Sequence, residues 1–399
     1  MTANLARLFL LDPSVTFLNH GSYGACPAPV FAEYQRWQLQ LERQPVAFLD
    51  PARGLTSWLR AGRQALADEL GAAPDDLVGV TNATEGLNIV AQSLDLREGD
   101  EILTTDHEYA ALEKTWAYIC TKTGARVTTV TVPMPLTSES AFTETLLAAV
   151  TPRTRVLFLS HITSATALVF PIQNAVAAAR ARGIWTVIDG AHTPGHIPVN
   201  LSTLGADFYS GNCHKWLMAP KGSAFLHVRR DLQPLINPLT ISHGWTQDLQ
   251  TQDPAAPGPF CNTRFVDMLE MQGTRDPAAI LTVPAAIQFR QQHDWPAVAT
   301  ACRHLVQDTA ARVRALTGLP ALSAPAFCAP QMVAMPVTRC DPKALQQALI
   351  QRYNIEIPCF QWQDHTIVRV SAQGYNTQTH MDLLMTALTD LLPELSAMT

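Results

Sequence analysis

Short apolar, β-branched runs alternate with helical stretches between residues 77 and 228, and this rhythm limits the possible folds more than any other feature of the chain. The runs fall at 77–81, 101–105, 126–132, 155–160, 185–189, 207–210 and 223–228, with helical stretches at 85–93, 109–121 and 172–182 among them. Strands that read as continuous apolar runs are covered on both faces, and parallel strands need a crossover that is usually a helix. The pattern therefore predicts an α/β fold built on a mostly parallel seven-stranded sheet with helices on both faces. Ahead of it, an extended piece at 15–19 enters a turn, H-G-S-Y-G (20–24). A helix is predicted over 29–48 with Phe31, Tyr34, Trp37 and Leu41 on one stripe, and another over 56–70 ends at Gly71, a natural left-handed cap. A Pro-rich stretch (Pro254, Pro257, Pro259) breaks the rhythm, and beyond about 284 a long helix leads into a smaller α/β region closed by a helix over 377–392. The expected division is an N-terminal segment 1–28, a large domain 29–283 and a small C-terminal domain 284–399.

With 399 residues, 47% of them apolar and 16% charged, the chain can bury a sizeable core. A net charge of −6 without a basic stripe makes nucleic acid or an anionic membrane surface a poor partner. No run of about 18 apolar residues offers a spanning helix, and the N-terminus lacks the apolar stretch and cleavage site of a signal peptide. Eight scattered cysteines without a C-x-x-C pair suit reduced thiols in the cytoplasm better than disulfides or a zinc site, so no metal is expected.

In open α/β sheets ligands bind beyond the carboxyl ends of the strands, and four reactive clusters fall at such ends. The first, Thr81 to Gly86, ends a strand and opens a helix, so its backbone N–H groups and the Thr84 hydroxyl suit a phosphate; helix capping by Asn82 or Thr84 explains it as well. No G-x-G-x-x-G or G-x-x-x-x-G-K-[ST] supports a dinucleotide or a nucleoside triphosphate. The second, D-G-A-H (189–192), offers a carboxylate that can keep a pyridine nitrogen protonated, with His192 in reach of a ring hydroxyl; a metal pair of His192 with His196 is disfavoured by the intervening Pro194-Gly195. The third, S-G-N-C-H-K-W (210–216), carries Lys215, one of lysines 114, 122, 215, 221 and 343; a desolvated amine there can condense with an aldehyde and shuttle a proton. Cys213 beside it reads as a small buried residue. The fourth, D-H-E-Y (106–109), could lay an imidazole or a phenol over a planar ring, or simply cap a helix.

Taken together, N-A-T-E-G-L-N (82–88), D-H-E-Y (106–109), D-G-A-H-T-P-G (189–195) and H-K-W-L-x-A-P-K-G (214–222) resemble the class V aminotransferase family of pyridoxal 5′-phosphate (PLP) enzymes. F-L-N-H-G-S-Y-G (17–24), R-W-Q-L-Q-L-E-R (36–43) and R-V-S-A-Q-G-Y-N (369–376) are most similar to its isopenicillin N epimerase-like branch. The resemblance implies the PLP-dependent transferase fold, with the cofactor in the large domain as a Schiff base on Lys215, the proton-transfer group. It further implies that Asp189 pairs with the pyridine nitrogen, His192 with the ring hydroxyl, and His107 with the ring face. Ala83, Thr84, Asn212 and His214 would bind the phosphate, and Thr274, in Q-G-T (272–274), that of a neighbouring subunit in a homodimer. Arg369 would clamp the substrate carboxylate, His20 and Tyr23 would line the substrate pocket, and His161 stands where it could act as a second acid or base. Cys359 lies too near the start of its loop for a persulfide carrier and reads as packed.

The expected activity is PLP-dependent chemistry at Cα or Cβ of an amino acid or amino-acid conjugate. Reprotonation of the carbanion from the opposite face, by His161, His107 or Tyr109, gives an epimerase, and loss of a β-substituent gives a C–S lyase. The alternatives are an aminotransferase or a cysteine desulfurase-like enzyme, and a catalytically silent binding protein on the same fold.

Overall fold

The computed structural model describes residues 5–246, 253 and 255–397. The expected pocket loop 240–265 is thus described only in part, and Pro254 and the chain ends lie outside the described residues.

All seven predicted core strands form. After a short N-terminal strand β1 (Thr16–Phe17) come β2 (Leu77–Val80), β3 (Glu101–Thr105), β4 (Arg126–Val130), β5 (Thr154–Ser160), β6 (Trp185–Asp189), β7 (Phe208–Asn212) and β8 (Ala224–Val228). They make one sheet in the order β2-β8-β7-β6-β5-β3-β4, in which only β8 runs antiparallel to its neighbours β2 and β7. Side chains alternate between two separate apolar clusters, one per face. Val78, Ile102, Val156, Phe158, Val187, Phe208 and Leu226 pack on one side, and Leu77, Leu103, Leu157, Leu159, Ile188, Tyr209 and Phe225 on the other. Two-sided burial explains why these strands read as unbroken apolar runs.

The predicted helix over 29–48 is two helices, Ala28–Arg43 and Pro45–Leu49. Gln44, held at φ −149° and ψ 70° ahead of Pro45, cannot continue the first. The second predicted helix spans Leu55–Leu70 and ends at Gly71 with φ +59°. The predicted turn at 20–24 is one helical turn, His20–Tyr23, closed by Gly24 at φ +69°. Beyond helices Val283–Gln292 and Trp295–Thr317, β9 (Met332–Val337), β10 (Ile355–Glu356), β11 (Cys359–Trp362) and β12 (His365–Ser371) follow. An antiparallel sheet of order β11-β12-β9 packs against helices that include Trp295–Thr317 and Pro342–Tyr353, while the closing helix spans Gln378–Ser396. Strand β1 pairs in parallel with β10, and Asn19 bridges to Ser371, so the N-terminal segment is tied to this second sheet. Among the described residues no helix is long and apolar enough to cross a membrane.

Candidate active site

Strands β2, β3, β5, β6 and β7 end at one cavity of about 520 Å³, within the usual range for small-molecule sites. Its walls include Ser22, Tyr23, Thr81, Asn82, Ala83, Thr84, Tyr109, Ser160, Ile162, Ser164, Asp189, Ala191, His192, Asn212, His214 and Lys215. A cavity of similar size, about 490 Å³, between helix Trp295–Thr317 and β9 has mostly apolar walls and contains none of the predicted site residues.

Lys215 leaves the end of β7 in a segment kept tight by glycine. Gly24 packs against it so closely that a Cβ there would collide with the His214 carbonyl oxygen. The Lys215 amine lies 3.0 Å from His192 Nε2. Burial, with help from Arg369 and against the attraction of Asp189, pushes the amine down to about 7. Asp189 ends β6, is 4% exposed and accepts the Ala191 N–H at 2.8 Å; burial raises its carboxyl while Lys215 opposes the rise. His192 accepts the Trp216 indole N–H at Nδ1 (3.3 Å), and burial beside Lys215 keeps its imidazole neutral.

At the opposite wall, Asn82 caps helix Ala83–Ser93 by accepting the Glu85 N–H at 2.8 Å. The Ala83 N–H donates to Asn212 Oδ1 at 2.8 Å, so two residues predicted to bind phosphate hold each other, with Thr84 beside them in the wall. His214 rests its Nδ1 on the Ser223 carbonyl, and burial pushes it to about 4.

Arg369, on β12 and 4% exposed, donates to the Ser164 carbonyl and to Ser22 Oγ (3.1 Å), both on residues of the cavity wall. Its Nε has no partner, and among the described residues no carboxylate pairs with it. Burial holds the guanidinium down to about 10.

Five predicted residues are not in the cavity wall: Arg369, which meets it only through Ser22 and Ser164, and four others. His107 is fully enclosed by Phe170 and Trp362, bonds Thr166 Oγ1 through Nδ1 at 2.8 Å and does not line the cavity; Tyr109, two residues on and 44% exposed, does. His20 lies behind Lys215 rather than in the pocket: its Nε2–H donates to the Lys215 carbonyl (3.1 Å) and its Nδ1 meets the Tyr375 hydroxyl (2.9 Å). His161, between the wall residues Ser160 and Ile162 but not itself in the wall, meets the Tyr209 hydroxyl (3.0 Å), and desolvation pushes it to about 4. Thr274 lines a separate depression with His243, Glu270 and Met271. Tyr23 does line the cavity mouth. His196 spends Nδ1 on the His192 carbonyl and Nε2 on the Gln331 N–H, which leaves neither nitrogen for a metal. Cys359 is buried on β11 and its thiol is pushed up.

Some contributors carried no separate signal in the sequence. Glu108 bonds the Ser160 N–H (2.8 Å) and hydroxyl (2.6 Å) and the Thr105 hydroxyl (2.7 Å), so it ties the ends of β3 and β5 together. Burial raises its carboxyl to about 8, with the charge of Asp189 adding to the rise. Ser22 and Ser164 hold Arg369; Ser22 at least falls within the H-G-S-Y-G motif.

The sequence pattern of the family described as aminotransferase class-V matches residues 28–384. The isopenicillin N epimerase of Amycolatopsis lactamdurans is 36% identical over 98% of this chain and 98% of its own length. An L-cysteine desulfhydrase of Arabidopsis thaliana is 26% identical over 95% of this chain and 88% of its own. Among solved structures, a variant of the lyase C-DES with glycine covalently linked to its PLP cofactor superposes with a TM-score of 0.78 at 21% identity, covering 95% of this chain and 97% of that one.

Proposed function

The chain belongs to the class V aminotransferase family, and from that premise we propose that the cavity around Lys215 is the active site of a PLP-dependent epimerase or C–S lyase. That the protein is a PLP enzyme of this type follows from its family and relatives; the residue roles are our reading. The observation that carries it is the half-buried Lys215 amine, lowered by desolvation to about 7, in the wall of a cavity that also holds the buried carboxylate of Asp189. An amine that is about half unprotonated at neutral pH can hold an aldehyde carbon, and a fully charged lysine on the surface cannot.

The residues present fit PLP. Asp189 would keep the proton on the pyridine nitrogen, His192 would face the ring oxygen, and Thr84, Asn212, His214 and the backbone at Ala83 would surround the phosphate. When bound, the cofactor supplies a ring that withdraws electrons from a substrate Cα. Arg369, held by Ser22 and Ser164 of the cavity wall, would be the cation for the substrate carboxylate. With its amine free, Lys215 would be the base that takes the Cα proton. Tyr109 lines the cavity and His107 and His161 do not, so Tyr109 would be the acid that returns a proton from another wall, as epimerisation requires. Thr274, in its separate depression, would serve the phosphate of a neighbouring subunit in a homodimer, as the family resemblance implies. The acidic balance leaves nucleic acid and membranes out, and the eight free cysteines suit the cytoplasm.

The test is a panel of L- and D-amino acids and cysteine conjugates in D₂O with the loaded enzyme. At least one should exchange its Cα proton. Inverted chirality then identifies the epimerase, and release of pyruvate or a thiol the lyase. Cα exchange with none of the panel would overturn the assignment.

A further inference from the structure

We propose that Trp216 is a positioning residue: its indole N–H fixes the tautomer of His192, so that His192 presents an N–H to the Lys215 amine and to the cofactor's ring oxygen. The inference rests on the PLP reading of the cavity. An indole nitrogen can only donate. Trp216 Nε1 points at His192 Nδ1 at 3.3 Å, so that nitrogen must offer its lone pair. His192 is neutral, because burial together with the charges of Lys215 and Arg369 and the neighbouring His196 and His214 oppose its protonation. Its single proton therefore sits on Nε2, 3.0 Å from Lys215 Nζ.

This arrangement selects a protonation state. An ammonium has donors and no acceptor, so an N–H facing it would set donor against donor. The contact is a hydrogen bond only when Lys215 carries a lone pair, which is the form that attacks a carbonyl carbon. Among the other groups facing this pair, Arg369 from β12 acts in the same direction and Asp189 from β6 opposes it. The charge of Asp189 in turn raises the neighbouring Glu108 and Tyr209. His20 holds the Lys215 carbonyl, not its amine. Once Lys215 is engaged with the cofactor, the same Nε2–H is free for the ring oxygen.

The indole has little freedom to aim elsewhere. It stacks on His196 with ring centres 3.8 Å apart and planes 19° from parallel, and His20 lies 4.9 Å away. Gly195, at φ +77°, packs directly on the Trp216 backbone, where a Cβ would intrude at 2.7 Å. Without the indole N–H, His192 can adopt the other tautomer and accept from a Lys215 ammonium, which stabilises the charged amine.

Trp216→Phe keeps an aromatic ring against His196 and removes the donor. Two measurements on the full-length chain test the proposal. With ¹⁵N-histidine labelling, His192 (assigned by the signal lost in His192→Gln) should show an unprotonated Nδ1 and a protonated Nε2 in wild type. In Trp216→Phe the other tautomer should appear. The rate of PLP capture by cofactor-stripped protein should have its pH midpoint raised by about one unit in Trp216→Phe, the size of one hydrogen bond, which slows capture about fivefold near pH 7 and about tenfold well below it. In a His192→Gln background the same substitution should cause no further shift. A wild-type His192 protonated on Nδ1 overturns the proposal, as do equal midpoints in wild type and Trp216→Phe. If Trp216→Phe does not fold, the wild-type nitrogen signals decide alone. If wild type captures no PLP at any pH, the cofactor reading fails, and the tautomer is still judged by the same signals.

Discussion

Replacing Arg369 with Met separates what the guanidinium does for the fold from what it does for a ligand. The side chain is 4% exposed, and burial holds it down to about 10. A base whose folded value is depressed is charged in both states at neutral pH, so the cost of burying it is fully present there and disappears only as pH rises past about 10. The fall from its ordinary value corresponds to roughly 3 kcal/mol. Its bonds to Ser164 and Ser22 return about the same amount, at ~1.5–3 kcal/mol for each hydrogen bond to a charged group. Met keeps the methylene stem in place. Without substrate, Arg369→Met should therefore unfold in guanidinium within about 2 kcal/mol of wild type. Substrate binding should behave differently. A carboxylate left in that pocket without its cation loses about 3–5 kcal/mol, so the amino-acid concentration that half-saturates the cofactor's spectral change should rise by at least 10²-fold. A variant that loses more than about 4 kcal/mol of stability yet titrates with substrate like wild type would show Arg369 to be a structural pillar.

Glu108→Gln bears on pH dependence. Because the folded state raises this carboxyl to about 8, it contributes stability below about pH 4 that is lost as pH rises to 8. The variant should flatten the fall in thermal stability between pH 5 and 8, a difference on the order of a few kcal/mol; parallel curves would mean that Glu108 is not protonated where the argument needs it. Gly24→Ala forces a Cβ onto the His214 carbonyl at a left-handed position, and should lose the cofactor's visible absorbance or several kcal/mol of stability. A fully loaded, wild-type-like variant would contradict the packing described. If the reaction is epimerisation, Tyr109→Phe should slow inversion by about 10²-fold while Cα exchange through Lys215 persists; unchanged inversion would move the second acid elsewhere.

The sheet was legible because its strands other than the exposed edge strand β4 are buried on both faces and therefore announce themselves as apolar runs, from Val78 through Leu226. The strand ends were legible for the same reason, and with them Lys215, Asp189 and Thr84. What could not be read was the direction of a side chain beyond a strand's end, where no period applies. His107 and Tyr109 are two residues apart in one loop, yet one is enclosed by Phe170 and Trp362 and the other faces the cavity. His20 and His161 failed in the same way, since each found a hydroxyl or carbonyl partner that only the tertiary fold supplies. Strand β9 was hidden by Pro336, which a strand tolerates at a sheet edge. Glu108, Ser22 and Trp216 stood inside motifs already singled out, but their partners lie 52, 347 and 24 residues away in the chain.

The central claim is that Lys215 holds the cofactor. Borohydride reduction of the purified protein fixes PLP to whichever lysine carries it, and proteolysis with mass spectrometry locates the adduct. It should fall on Lys215 and not on lysines 114, 122, 221 or 343, and it should vanish in Lys215→Ala together with the visible band. An adduct on another lysine, or none in a protein loaded with PLP, would contradict the account.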